Sequence, residues 1–191
     1  MRQTWLQGLE SWDSPMLSPL DKEWKQFSES SAAIGDIEIN RCATLENASS
    51  YYLIGFSDAS CLGYAAAVYL RSETPFSVNI SLLSAKSRVA LTKTAPIPRL
   101  ELCGTQLLST LFKQSKKFLE GEIELSHIFA YNDSEVVLAW LKPVPCQLKT
   151  FEANRVTTIL ENTAPPDWKF ISGAENPADV ASRGCLPEHL K

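Results

Sequence analysis

The chain has 191 residues, long enough for one domain with a proper core plus an appendage, and its 45% hydrophobic and 21% charged content is that of an ordinary soluble globular protein. A net charge of −4 argues against a strongly basic coat for nucleic acid, but leaves room for a protein that grips a polyanion through metal ions. Five scattered cysteines, odd in number and with no Cys-x-x-Cys or His pairing, argue against a disulfide frame and against a structural zinc site. With no apolar leader after Met1-Arg2-Gln3-Thr4-Trp5 and no run of about 20 apolar residues, a soluble intracellular protein without a membrane partner is expected.

Residues 1–50 read as an appendage and linker. Trp5, Trp12 and Trp24 alternate with prolines and acids, and Asp21–Phe27 predicts a short helix with Trp24 and Phe27 on one face, broken by Ser28–Ser31. Thr44–Ser50 is a polar linker. From Tyr51 the pattern turns to strands. Tyr51–Ser57 is the first and delivers Asp58 to a turn. Leu62–Arg71 is the second, and Phe76–Ser84 is the third, half-buried with apolar residues at period two. Their short links predict an antiparallel meander. A proline-bounded entry leads into an amphipathic helix over Arg99–Phe118, whose closing Lys113, Lys116 and Lys117 suit the helix dipole or, alternatively, a nucleic-acid patch. Ile128–Tyr131 is a fourth strand, preceded by His127. Asn132-Asp133-Ser134 then opens a helix to about Leu141. Lys149–Asn162 is another helix, Trp168–Ser172 a fifth strand, and Ala178–Ser182 a last short helix. The order implies one five-stranded mixed α/β sheet, three antiparallel strands first, with helices on both faces.

Four acids fall at element boundaries: Asp58, Glu101, Asp133 and Asp179. Each has a bland reading, Asp133 and Asp179 as helix caps, Glu101 as a first-turn acid, Asp58 as a turn residue. If the first and fourth strands are neighbours, Asp58 and Asp133 converge and the long helix brings in Glu101. A cluster of like charges calls for a cation among them, and oxygen-only donors select a hard one, Mg²⁺ or Mn²⁺. Two such ions can act on a phosphodiester.

Ser57-Asp58-Ala59-Ser60, Pro98-Arg99-Leu100-Glu101-Leu102, Asn132-Asp133-Ser134 and Asn176-Pro177-Ala178-Asp179-Val180-Ala181-Ser182-Arg183-Gly184, in that order, resemble the ribonuclease H domain of LTR-retrotransposon polyproteins, most closely the Bel/Pao group. The resemblance covers residues 51–185, with 186–191 as a tail, and the appendage resembles the end of a reverse-transcriptase connection region. It implies the ribonuclease H-like fold and a metal-dependent endonuclease that cuts the RNA strand of an RNA–DNA hybrid. It implies a polyprotein with reverse transcriptase upstream and integrase downstream, acting in the cytoplasm (in virus-like particles) or the nucleus. Carried over, Asp58 bridges two metal ions, Glu101 and Asp133 hold one and Asp179 the other. Ser60, Asn132, Ser134, Asn176 and Arg183 become substrate contacts or supports of the ligands. Many members of the retroviral type carry a histidine before the last acid. This chain has Ser172-Gly173-Ala174-Glu175 there, so Glu175 is the residue left to assist. The alternative reading is an inactive relic or a nucleic-acid-binding module of a truncated element. A transposase core, which needs Glu last, and an aspartic peptidase, which needs Asp-Thr/Ser-Gly, do not match these residues.

Overall fold

Glycine and small residues interleaved with aromatic and aliphatic ones allow Ser50–Ala59 to run as a strand buried on one face and half-buried on the other. This strand, β1, is the centre of the computed structural model, which describes residues 13, 15, 16, 18–90 and 95–189. β2 (Gly63–Glu73) and β3 (Val78–Val89) complete the antiparallel meander, and β4 (Leu125–Asn132) and β5 (Trp168–Phe170) lie parallel on the other side of β1. The sheet order is β3-β2-β1-β4-β5. The mixed sheet and strand order expected from the ribonuclease H resemblance are present.

The long helix α2 (Ile97–Leu119) lies on one sheet face, placing Leu102, Leu108 and Phe112 against Leu53, Val68 and Leu70 of β1 and β2. It follows α1 (Ser18–Ser30) and precedes α3 (Glu135–Trp140), α4 (Thr150–Asn162) and α5 (Asp179–Arg183). Val156 and Ile159 of α4 close the core behind α2. Two glycines permit the close approach. A Cβ on Gly55 would meet the Phe112 ring and Leu108, and one on Gly104 would stand 3.0 Å from the Asp58 carbonyl oxygen. Alternation along β1 sends Ser57 towards α2 and Asp58 to the opposite face, where α5 sits. That second face carries an aromatic row: Phe56 stacks on Tyr131 at 5.3 Å between centroids and meets Tyr69 edge-on at 5.8 Å.

Several boundaries differ from the sequence expectation, each for a physical reason. Asp58 lies inside β1, because β1 pairs with β2 through Asp58↔Ala65 and Ala59↔Tyr64 before the chain turns. His127 lies inside β4, paired with Tyr52. β3 starts two residues later and ends five residues later than expected. As the edge strand it leaves Val78, Ile80 and Leu82 about half exposed, and Phe76 lies in the preceding turn, 96% exposed. α1 continues through Ser28–Ser30, the Ser30 and Ser31 hydroxyls donating back to the carbonyls of Phe27 and Ser28.

The chain divides into two compact units. The larger comprises residues 40–90 and 95–183. The supposed linker belongs to it: the Leu45 and Ser49 amides donate to Ser72 Oγ and the Glu73 carbonyl of β2. The smaller contains the described residues up to Ile39 and those from Gly184. Within it Trp24 and Phe27 stack at 6.0 Å, as their spacing predicted. Trp5 and Trp12 lie outside the described residues.

Candidate active site

The C-terminal ends of β1 and β4 are neighbours in a parallel pair, so Asp58 and Asp133 emerge side by side. Asp58 is 4% exposed. Asp133 is half-buried, and its Oδ1 is enclosed with no hydrogen-bond partner. Burial pushes the Asp133 carboxyl up to about 6, and the negative charges of Asp58 and Glu101 add to the rise. Glu101 arrives from the second turn of α2, since the helix starts at Ile97, two residues earlier than expected, and Gly104 lets the helix press onto the Asp58 backbone.

The other acids are held by local donors. Ser182 of α5 donates its hydroxyl to Asp58 Oδ2 in a short bond. Ser134 Oγ donates to Glu101 Oε2 at 2.6 Å and also caps α3, accepting from the Val137 amide. Arg183 Nε donates to Asp179 Oδ1 at 2.6 Å. This contact holds the exposed guanidinium above its ordinary pKa, with Asp58 and Asp133 adding, so the one end of the sheet gathers all of these charges. Turned to these separate partners, the acids do not close on a single point: among the described residues, no three acidic, histidine or cysteine side chains form a ready metal-binding group. The donor set itself fits a hard divalent cation. It is all oxygen, its Asp58, Glu101 and Asp133 make no ion pair among the described residues, and it contains one enclosed carboxylate oxygen with no partner.

Behind the acids lies a fully buried polar network. Asn132 Nδ2 donates to Ser57 Oγ at 2.9 Å and to Thr105 Oγ1 at 3.2 Å, while its Oδ1 accepts from the Ser134 amide at 2.7 Å. Asn176 Nδ2 donates to the Ser57 carbonyl at 3.0 Å, and its Oδ1 accepts from the Ala178 amide. Both asparagines are under 5% exposed, so they brace β1, β4 and the turn into α5 and do not reach solvent. Ser60 Oγ donates to the Ser182 carbonyl at 2.8 Å, tying the β1–β2 turn to α5. Of the five positions expected to touch substrate, Arg183 is the one left open to it. Glu175 accepts from Ser172 within its own exposed loop. His127, near the start of β4 and so at the opposite end of that strand from Asp133, stands 3.7 Å from Asp167.

Sequence reasoning missed Ser182, Thr105 and Gly104. Ser182 had a signal, three residues after Asp179 and so one helical turn along on α5. The other two had none without the register of α2 against β1.

A family model described as "Pao retrotransposon-like RNaseH-like domain" matches residues 1–134. No curated protein matches the chain. Among solved structures, the chain is similar to the N-terminal RNase H domain of a Mycobacterium tuberculosis protein, at 10% identity and a TM-score of 0.46, covering 70% of this chain and 95% of that one. It is also similar to RNase H1 of the archaeon Halobacterium salinarum, at 13% identity and 0.37, covering 68% and 91%. A third is an RNase H1 from a compost metagenome, solved with an RNA/DNA hybrid, at 11% identity and 0.40, covering 74% and 100%.

Proposed function

We propose, from the premise that this chain belongs to the Pao retrotransposon-like RNase H-like domain family, that it is a divalent-metal-dependent endonuclease cutting the RNA strand of RNA–DNA hybrids. The observation that carries the reading is Asp133: an enclosed carboxylate oxygen without a partner, set against Asp58 and within the field of Glu101. A protein tolerates such repulsion where something positive is to be bound.

Asp58, Glu101, Asp133 and Asp179 would hold the cations, two Mg²⁺ or Mn²⁺. When bound, these supply the positive charge that relieves the repulsion and polarise a phosphoryl oxygen of the substrate. The protein's own part is positioning. Ser134 fixes one oxygen of Glu101 and Ser182 one oxygen of Asp58, and the second oxygen of each is not taken by that serine. Arg183 neutralises Asp179 through Nε, and its outer nitrogens can take a substrate phosphate in a forked contact. Discrimination of the RNA strand then falls to contacts with its 2′-hydroxyls. The setting is a retroelement polyprotein with reverse transcriptase before this domain and integrase after it.

The test is cleavage by the purified chain, in Mg²⁺, of a hybrid labelled on each strand in turn, beside duplex RNA and duplex DNA, with Asp133→Asn in parallel. The expected result is cutting confined to the RNA of the hybrid and lost in the variant. Equal cutting by the two proteins, or cutting by neither, overturns the reading. Binding of the hybrid without cutting by either assigns the chain to the non-catalytic alternative.

A further inference from the structure

A second polar feature lies along the flank of α2 that faces β3, outside the acid site. It is a groove of about 290 Å³. Lys86 and Arg88 of β3, Gln106, Thr110 and Gln114 of α2, and Tyr64 of β2 line it. Lys86 pairs across the sheet with Ala66 and Arg88 with Tyr64, which sets both cations on the α2 side of the sheet. No carboxylate lines the groove. Among the described residues neither cation makes an ion pair, and neither glutamine makes a side-chain hydrogen bond.

Charges on an edge strand guard against unwanted pairing, which accounts for a lysine on β3. It does not account for two cations and two unengaged primary amides meeting in one groove of a chain with net charge −4. Lysine and arginine donate to phosphate oxygens. A glutamine amide both donates and accepts, as a ribose hydroxyl requires. Gln106 and Gln114 are eight residues apart, about 12 Å along the helix. That is the axial run of three to four nucleotides at about 3.4 Å each. The groove begins at Cys103, two residues beyond Glu101. The larger cavity, about 440 Å³ at the far end of α2, mixes Lys113, Lys116 and Lys117 with Glu120 and Glu161, and its charge is closer to balanced.

We infer that the α2–β3 groove binds the sugar–phosphate backbone of a nucleic-acid strand, with Lys86 and Arg88 on phosphates and Gln106 and Gln114 on the sugars. This rests on the hybrid being the substrate, and extends its footprint along α2 beyond the acids.

The experiment measures binding of a 20-base-pair RNA–DNA hybrid to the full chain by fluorescence anisotropy in EDTA, over a series of salt concentrations. Lys86→Ala with Arg88→Ala should weaken binding about tenfold and flatten the slope of log K against log salt by about 1.8, since each phosphate left unneutralised takes about 0.9 from the slope. Gln106→Ala with Gln114→Ala should weaken binding and leave the slope unchanged. Lys113→Ala with Lys117→Ala, at the other cavity, should change neither. An unaltered affinity and slope in the Lys86/Arg88 variant, while the parent binds and cuts the hybrid, overturns the inference and leaves the proposed activity standing. So does an equal loss from both lysine-bearing pairs, which marks general electrostatics, or displacement of the labelled hybrid from the parent by polyglutamate more readily than by unlabelled hybrid, which marks an acidic protein partner. A parent chain that neither binds nor cuts the hybrid overturns both.

Discussion

Asp133→Asn separates an acid kept for function from one kept for stability. The parent carboxyl, moved by burial and by its acidic neighbours from 3.8 to about 6, carries a cost of desolvation and repulsion worth about 3 kcal/mol at neutral pH. Asp133 is only half-buried, so screening by water reduces this to roughly 1–1.5 kcal/mol. Between pH 3.8 and about 6 the native chain holds a proton that the unfolded chain has released, so native stability falls as pH rises through that window. Asparagine has no charge to lose. The variant's advantage should therefore be absent near pH 4, grow to about pH 6–7 and stay level above it. For a domain of this size, 1–1.5 kcal/mol corresponds to roughly 3–5 °C in Tm. The assay is thermal unfolding of parent and variant in EDTA at several pH values. A variant no more stable than the parent at pH 7.5, or an advantage independent of pH, refutes the electrostatic reasoning.

Other consequences are as specific. Ser182→Ala removes a hydrogen bond to a buried carboxylate worth about 1.5–3 kcal/mol, so kcat should fall roughly ten- to a hundredfold with KM little changed and with recovery in Ser182→Thr; a loss expressed in KM alone contradicts a positioning role. Arg99→Ala strands the buried Glu152 carboxylate, whose Oε1 accepts from Arg99 Nε at 2.9 Å and whose Oε2 has no partner; denaturant unfolding should show a loss of about 2–3 kcal/mol, and adding Glu152→Leu should recover most of it. Gly104→Ala sets a methyl 3.0 Å from the Asp58 carbonyl oxygen of a paired strand and should cost about 1–2 kcal/mol despite better helix propensity; an unchanged or raised Tm contradicts the close approach of α2 to β1.

The elements themselves were legible because each carries a local signature. The period-two run through Val78, Ile80 and Leu82 marks β3, the Leu100–Phe112 face marks α2, and Pro165-Pro166 marks the stop before β5. Where local pattern and pairing disagree, pairing wins. Asp58 reads as a turn acid but is held in β1 by its neighbour β2. Phe76 and the aliphatics of β3 read as one half-buried strand, but Phe76 lies in the preceding turn and the aliphatics stand at an open edge. At the site, the acids were legible as residue types in order, and two of the polar residues beside them were visible without their true office. Asn132 and Asn176 are prominent in the sequence, and only the three-dimensional register shows that their amides are consumed by Ser57, Thr105 and backbone groups. Ser182 was legible as part of a motif and not as the partner of Asp58, 124 residues away.

The measurement that bears most directly on the acids as a cation site is a Mn²⁺ titration of the purified chain followed by electron paramagnetic resonance, beside Asp58→Asn. Asp58 is buried, sits against Asp133 and has its second oxygen unclaimed by Ser182. The expected result is saturable Mn²⁺ binding by the parent, displaced by Mg²⁺ and weakened at least tenfold in the variant. Identical titrations for the two proteins, or no saturable binding by the parent, would contradict it.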